Sequence, residues 1–159
     1  MSKRRSFLKS ATVLGAATLL HQTSWGNESF AKTKVKPKKL SPGDTIGLVA
    51  PGFAIKLEEL YLAVDTLEKM GFKTFYTDRI KGNYGYFSNT DEERAADLNE
   101  MFANPDIDAI LCARGGYGCT RILGMLDYDA IEENPKALIG FSDITALINT
   151  IYKKTGLVG

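Results

Sequence analysis

The 159-residue chain is poor in the residues that most often carry redox chemistry and metal binding. It has a single histidine, His21, and two cysteines, Cys112 and Cys119, which lie seven positions apart. Without a Cys-x-x-Cys pair, the sequence offers neither a zinc cluster nor a thioredoxin-type redox pair, and we expect no metal. Cys112 lies in an apolar run, which is typical of a buried free cysteine, although an oxidising compartment could also pair the two thiols.

An excess of positive charge is also absent. The chain has 20 basic and 19 acidic residues, and residues 1–31 hold four of the basic ones and one acidic one. The 128 residues that follow position 31 therefore carry 16 basic and 18 acidic side chains, a net charge of −2. This balance gives no electrostatic reason to expect nucleic-acid binding, and the length suits one small domain.

Long apolar runs are lacking too, and the one candidate is a short stretch of small residues near the start. Residues 1–31 have a basic start, this apolar stretch and a polar region that ends at Ala31, which predicts a signal peptide cleaved after Ala31 and no membrane span afterwards. The segment RRSFLK at residues 4–9 resembles the twin-arginine export signal, whereas the alternative is an ordinary secretory signal with two arginines. We expect an exported or periplasmic protein, with residues 32–41 as a solvated, flexible, lysine-rich leader.

From residue 42 to 159 the chain alternates apolar runs with segments of helical spacing. Four strands are predicted, at residues 44–50, 73–77, 107–113 and 137–139. A helix follows each strand: one closed by Gly71, one opened by a capping box at Thr90 and Glu93, one after Gly118 and one after Asp143. Near-continuous apolar strands in βα repeats predict an α/β fold, a flavodoxin-like parallel sheet with helices on both faces.

Three unusual loops follow predicted strands. They are APG at residues 50–52, RGGYG at 114–118 and GFSD at 140–143. Because ligands gather at the carboxyl ends of parallel strands, these loops predict a site at that edge of the sheet.

Ser142 lies between the end of a strand and the start of a helix, and two interpretations stay open from spacing alone. It could be a simple helix cap, or a nucleophile on a sharp turn, with the Asp143 amide and an amide of the neighbouring glycine pair as oxyanion donors. The Gly-x-Ser-x-Gly elbow of α/β-hydrolases is not present. RGGYG could instead cradle a phosphate, but it lacks the Gly-Lys-Ser/Thr ending of a P-loop and the Gly-x-Gly-x-x-Gly spacing.

The combination of three longer blocks carries a family resemblance. LSPGDTIGLVAPG, DEERAADLNEMFANPDIDAILCARGGYG and LDYDAIEENPKALIGFSDITAL resemble the LD-carboxypeptidase family of serine peptidases, which includes the murein tetrapeptide carboxypeptidases and the microcin C immunity peptidases. The match runs from about Leu40 to the last residue. It implies that residues 42–159 are the amino-terminal domain of a two-domain enzyme.

The resemblance implies a role for each matching residue. Ser142 falls on the nucleophile, and the amides of Gly116 and Asp143 fall on the oxyanion hole. The family uses a Ser–His–Glu triad without metal or cofactor, and it releases the terminal D-alanine of murein tetrapeptides by cutting an L,D-peptide bond or cuts related amides. It also implies a murein peptide as partner and the ability to form a homodimer.

The triad glutamate and histidine are the point of departure. The resemblance places both in a second, carboxy-terminal domain, and residues 32–159 contain no histidine. We therefore expect these residues to be inactive alone and to expose an apolar face that the second domain would cover. The alternatives are a non-catalytic murein-peptide-binding domain, a microcin-type amide hydrolase and a nucleotide- or phosphate-binding flavodoxin-like module.

The export signal gives the first testable prediction. Replacing Arg4 and Arg5 together by lysine keeps the charge of the leader but removes the arginine pair that the twin-arginine route requires. We expect the cleaved form to disappear from the periplasmic fraction and the uncleaved form to collect in the cytoplasm, measured by cell fractionation and immunoblotting. An unchanged periplasmic yield would favour the ordinary secretory route.

Overall fold

The computed structural model describes residues 32–159, so the predicted signal peptide at 1–31 lies outside the described residues. Its centre is a parallel sheet of four strands in the order β2-β1-β3-β4. The strands are β1 Thr45–Val49, β2 Lys73–Phe75, β3 Ala109–Cys112 and β4 Ala137–Ile139. The predicted parallel α/β fold is confirmed. β4 has the predicted bounds, whereas β1, β2 and β3 are shorter than predicted because only part of each apolar run pairs in the sheet.

Five α-helices surround this sheet in the described part of the chain. They are α1 Leu57–Lys69, α2 Asp91–Ala103, α3 Cys119–Ile122, α4 Tyr128–Glu133 and α5 Ile144–Thr155, with 3-10 turns at Asp78–Lys81 and Leu123–Met125. The capping box at the start of α2 forms as predicted: the Glu93 amide donates to Thr90 Oγ1, and the Thr90 amide donates to the Glu93 carboxylate, both at 3.3 Å. These bonds satisfy two amides that a helix start otherwise leaves open.

The single helix predicted after Gly118 is the one element that the sequence analysis placed wrongly. The chain instead forms α3, a 3-10 turn and, after an extended residue at Leu126, the separate helix α4. The side chain of Asp127 accepts a hydrogen bond from the Ala130 amide at 3.0 Å and so starts a new helix. A local cap thus overrides the apolar spacing that suggested one continuous helix.

The strand order places a topological switch between β1 and β3. The chain leaves β1 through α1 to reach β2 on one side, and it returns through α2 to β3 on the other side. Two apolar cores result: α1 packs on one face around Leu48 and Leu60, and α2 and α5 pack on the other around Ile110 and Leu147. In such sheets the loops at the switch point form a crevice at the carboxyl ends of the strands.

The face beside α1 is only partly covered by the described residues. Leu111 of β3 is half-buried, Ile139 pairs beside it on β4, and Leu62 of α1 is 65% exposed. This agrees with the apolar face expected from the resemblance. None of the helices within residues 32–159 is long and apolar enough to cross a membrane.

Residues 32–41 pack against the domain, where the charge pattern predicted a flexible leader. Val35 forms a parallel bridge with Leu157, with its amide 2.9 Å from the carbonyl oxygen of Gly156. Leu40 packs against the core beneath α1. This lysine-rich segment contains two apolar residues, Val35 and Leu40, whose contacts hold it against the domain.

A buried lysine closes the carboxyl end of α2. Lys136, which is 7% exposed, donates from Nζ to the carbonyl oxygen of Met101 at 2.9 Å and also to that of Asn104. Burial lowers the pKa of its ammonium group. The carbonyls at a helix end have no partner within the helix, so this lysine supplies the missing donors.

The lysine contact predicts a stability loss. Lys136→Met keeps the length of the side chain but leaves buried carbonyl oxygens without a donor, which we expect to lower the free energy of unfolding by about 1–3 kcal/mol. Urea denaturation followed by circular dichroism measures the change. The matched change Lys153→Met, at an exposed position of α5, should stay within about 0.5 kcal/mol of the parent. Equal effects of the two changes would contradict the assignment.

Candidate active site

The loops after β1, β3 and β4 meet at the switch-point edge of the sheet. The Phe53 amide donates to the carbonyl oxygen of Gly115 at 3.3 Å, which joins the first loop to the second. A Cβ atom on Gly115 would lie 2.9 Å from Ser142 Cβ and 3.1 Å from the Phe141 carbonyl oxygen. The second loop therefore presses directly on the third, and only a glycine fits at this contact.

Ser142 has a backbone conformation that is rare for a residue with a side chain. Its φ is +61°, and it is the one non-glycine residue with a positive φ within residues 32–159. Such a conformation costs free energy and is found where a turn must present a side chain in a fixed direction. Ser142 is exposed. Its backbone carbonyl oxygen accepts a hydrogen bond from the Thr145 amide at 3.0 Å.

The cap interpretation of Ser142 finds no support in the hydrogen bonds. Among the described residues its hydroxyl has no hydrogen-bond partner, and α5 begins without any side-chain cap. The hydroxyl stands free on a strained turn beside Gly115. This is the arrangement that the alternative interpretation, an exposed nucleophile, requires.

The resemblance assigns two amides to an oxyanion hole: that of Gly116, which follows the Gly115 contact, and that of Asp143, which follows Ser142. Neither the Gly116 nor the Asp143 amide donates a hydrogen bond to any other residue in the range 32–159. Gly116 has a φ of +127°, and a Cβ atom there would lie 2.7 Å from Phe53 Cβ. Two amides without protein partners, one on each loop beside the serine, are available to a ligand oxygen.

The Asp143 carboxylate has a structural contact of its own. Its Oδ2 accepts from the Cys119 amide at 2.8 Å, which ties the start of α5 to the start of α3. Burial, together with this carboxylate, raises the pKa of the Cys119 thiol to about 12, and burial also raises the pKa of Cys112. Both cysteines are buried and free, as predicted for Cys112, and neither is a thiolate at neutral pH.

Arg94 was missed by the sequence analysis, yet it joins two of the loops. Its side chain is fully buried and donates to the carbonyl oxygens of Pro51 and, at 3.4 Å, Gly118. It also pairs with Asp91 and lies 4.5 Å over the Phe87 ring. Its spacing from Leu98 places it on the buried face of α2, and an arginine on that face was the signal available in the sequence.

An aromatic cluster lines the mouth of the site. Tyr86 packs edge-on against Phe53, with ring centroids 4.4 Å apart, and stands 6.4 Å from Tyr117. Tyr86 and Tyr117 keep about half or more of their surface exposed. The long loop of residues 81–87 thus folds over the first loop and offers apolar surface beside Gly116.

No metal site accompanies these groups in the described part of the chain. Residues 32–159 hold no cluster of three or more histidine, cysteine, aspartate or glutamate side chains suited to a metal ion. They also contain no imidazole to act as a base for Ser142.

The fold and the site define a class: a parallel α/β domain whose carboxyl-edge loops carry a serine with a strained backbone and two amides without partners in the described part of the chain. The family comparison is consistent with this class. The model of the LD-carboxypeptidase N-terminal domain, peptidase family S66, matches residues 46–159, and the chain belongs to this family.

Several relatives and solved structures are similar to this chain. It is 42% identical over 123 residues to the probable murein peptide carboxypeptidase of Bacillus subtilis, covering 77% of this chain and 39% of the relative. It is 37% identical over 109 residues to the murein tetrapeptide carboxypeptidase of Pseudomonas aeruginosa, covering 68% and 36%. The solved structure of the microcin C7 self-immunity protein MccF without ligand superposes with a TM-score of 0.74 at 38% identity, over 77% of this chain and 37% of that one.

The matched region is the amino-terminal part of longer proteins. The chain spans 39%, 41% and 36% of the length of the first three curated relatives. The activity of the whole protein is therefore a matter of proposal.

The contact between Gly115 and Ser142 predicts a sensitive position. Gly115→Ala would force the two loops apart, and we expect the free energy of unfolding to fall by about 1–3 kcal/mol, measured by urea denaturation. Gly124→Ala is the matched control, since a Cβ atom there meets nothing within 4 Å, and its effect should stay within about 0.5 kcal/mol. A Gly115→Ala protein as stable as the control would refute the close contact.

Proposed function

We propose that this chain is the nucleophile-bearing domain of an exported serine carboxypeptidase that hydrolyses an L,D-peptide bond and releases the terminal D-alanine of murein tetrapeptides. One observation carries the proposal: the hydroxyl of Ser142, held at a φ of +61°, has no protein partner among the described residues, and neither do the amides of Gly116 and Asp143. Family membership and relatives named for murein peptides support the substrate class.

In the proposed reaction Ser142 Oγ attacks the carbonyl carbon of the bond before the terminal D-alanine. The carbonyl oxygen becomes an oxyanion, and the amides of Gly116 and Asp143 donate hydrogen bonds to it. The serine proton passes to a base and then to the amine of the departing D-alanine, which leaves an acyl-serine ester. Water hydrolyses the ester and restores the hydroxyl.

The base is proposed to come from outside residues 32–159, which contain no imidazole and give Ser142 no hydrogen-bond partner. We propose that a glutamate and a histidine of a carboxy-terminal domain complete the triad, as the family resemblance implies. Residues 32–159 alone would then bind substrate without turning it over. The protein as a whole is proposed to reach the periplasm through the twin-arginine route and to form a homodimer.

A second candidate function is the hydrolysis of a microcin-type amide. The observation that favours it is structural: MccF superposes with a TM-score of 0.74, whereas the muramoyltetrapeptide carboxypeptidase of Oxalobacter formigenes superposes with 0.59. One solved MccF structure contains aspartyl sulfamoyl adenosine. The two candidates share the Ser142 chemistry and differ in the group that follows the carbonyl.

The proposed function predicts that Ser142→Ala abolishes D-alanine release. The test uses the protein as its own gene encodes it, including any residues encoded beyond Gly159, with a murein tetrapeptide as substrate and D-alanine measured by an oxidase-coupled assay. We expect kcat to fall by about 10³-fold or more, because the variant keeps the oxyanion donors but has no nucleophile. Thr145→Ala, an exposed hydroxyl in the first turn of α5, is the matched control and should keep full activity.

Each result separates the candidates. Release of D-alanine that survives Ser142→Ala would show that Ser142 is not the nucleophile. A parent protein that cleaves aspartyl sulfamoyl adenosine but no tetrapeptide would favour the microcin-type hydrolase. Tetrapeptide binding in calorimetry without any turnover would favour a non-catalytic binding domain.

A further inference from the structure

The described residues contain four arginines, and three of them make several hydrogen bonds or ion pairs within the domain. Arg79 pairs with Asp97 and Glu100. Arg94 is buried against backbone carbonyls and Asp91, as described above, and Arg121 bonds both carboxylate oxygens of Asp91. Arg114 is the one of these four whose guanidinium makes a single hydrogen bond, to one carboxylate oxygen, so most of its donors are free.

Arg114 stands at the site. It immediately precedes Gly115 and Gly116, and its guanidinium lies 4.5 Å from the ring centroid of Phe53. The backbone of Phe53 in turn touches Gly116, since a Cβ atom on that glycine would lie 3.1 Å from the Phe53 nitrogen. The Phe53 ring holds the positive charge of Arg114 in place. This charge lies on the same loop as the Gly116 amide, a proposed oxyanion donor.

The present partner of Arg114 is weakly held. One guanidinium nitrogen, Nη1, donates to Glu59 Oε2 at 3.3 Å, and the two side chains are 40% and 47% exposed. A single long bond between exposed groups contributes little free energy, because water and salt screen it. A second carboxylate could displace Glu59 at small cost, and the planar guanidinium can bind a carboxylate through two parallel bonds.

We propose that Arg114 binds the terminal carboxylate of the peptide and exchanges Glu59 for it when substrate enters. This inference rests on the proposed function: the carboxylate of the residue to be released lies one residue beyond the cut bond, and a guanidinium can bind it through two hydrogen bonds. Glu59 then acts as a placeholder that keeps the guanidinium oriented while the site is empty. Arg114 is a specificity-determining residue, and it takes no part in the proton transfers.

The proposal predicts a loss of discrimination between two substrates that differ only at the end of the peptide. The test compares a murein tetrapeptide ending in free D-alanine with the same peptide ending in D-alaninamide, using the protein as its gene encodes it. We expect the parent to prefer the free acid, and Arg114→Gln to lower kcat/KM for the acid by about 10- to 100-fold while leaving kcat/KM for the amide within about 2-fold. Arg114→Lys keeps the charge but not the paired donors. Its kcat/KM for the acid should lie between the values of the parent and of Arg114→Gln.

Two further variants test the exchange. Glu59→Gln removes the competing carboxylate and should lower KM for the acid by about 2- to 5-fold with kcat unchanged. Lys56→Gln removes an equal charge from the exposed residue before α1 and should leave the acid-to-amide preference unchanged. It separates a specific contact from a general effect of positive charge.

A second measurement does not depend on turnover. In Ser142→Ala protein, calorimetric binding of the acid peptide should weaken by about 10- to 100-fold when Arg114→Gln is added, and binding of the amide should not change.

The outcomes test the proposed function and the role of Arg114 separately. A parent that neither binds nor cleaves either peptide would overturn the proposed function. A parent that cleaves the acid peptide, with an acid-to-amide preference that survives Arg114→Gln or disappears with Lys56→Gln, would overturn the role of Arg114 alone.

Discussion

The site depends on the buried guanidinium of Arg94. Its contacts with the carbonyl oxygens of Pro51 and Gly118 span the switch point between β1 and β3, where the two halves of the sheet diverge. A charge with no exposed side-chain surface is costly unless it is paired, and Asp91 supplies the pairing from the same helix. Helix α2 therefore adds to the bond between the Phe53 amide and the Gly115 carbonyl oxygen in holding these two loops together.

Most of the fold could be predicted from local pattern. Each apolar run became a strand, and the capping box at Thr90 began a helix, because strand burial and helix capping depend on residues close together in the sequence. The two failures have different causes: one is a local cap that outweighed apolar spacing, and the other is a set of tertiary contacts that outweighed charge composition. Asp127 started a second helix within an apolar periodic segment, and Val35 and Leu40 held a lysine-rich segment against the domain.

The location of the candidate site could be predicted from the sequence, but only some of its residues could. The glycine-rich loops and Ser142 marked the carboxyl edge of the sheet, and the resemblance chose between a cap and a nucleophile. The one signal of Arg94 in the sequence was an arginine on the buried face of α2, because its carbonyl partners lie on two distant loops. The weak pairing of Arg114 with Glu59 was equally hidden, since the two residues lie far apart in the chain and meet only across the sheet edge.

The backbone conformation of Ser142 lowers the stability of the domain, and the same residue carries the hydroxyl that the proposed chemistry needs. A positive φ costs a side-chain-bearing residue about 1–2 kcal/mol, and glycine would adopt the same turn without that cost. The change that removes the hydroxyl is thus the change that relaxes the backbone, so selection for stability alone would favour losing it. A glycine at this position would therefore give a more relaxed turn in a domain that has lost the hydroxyl.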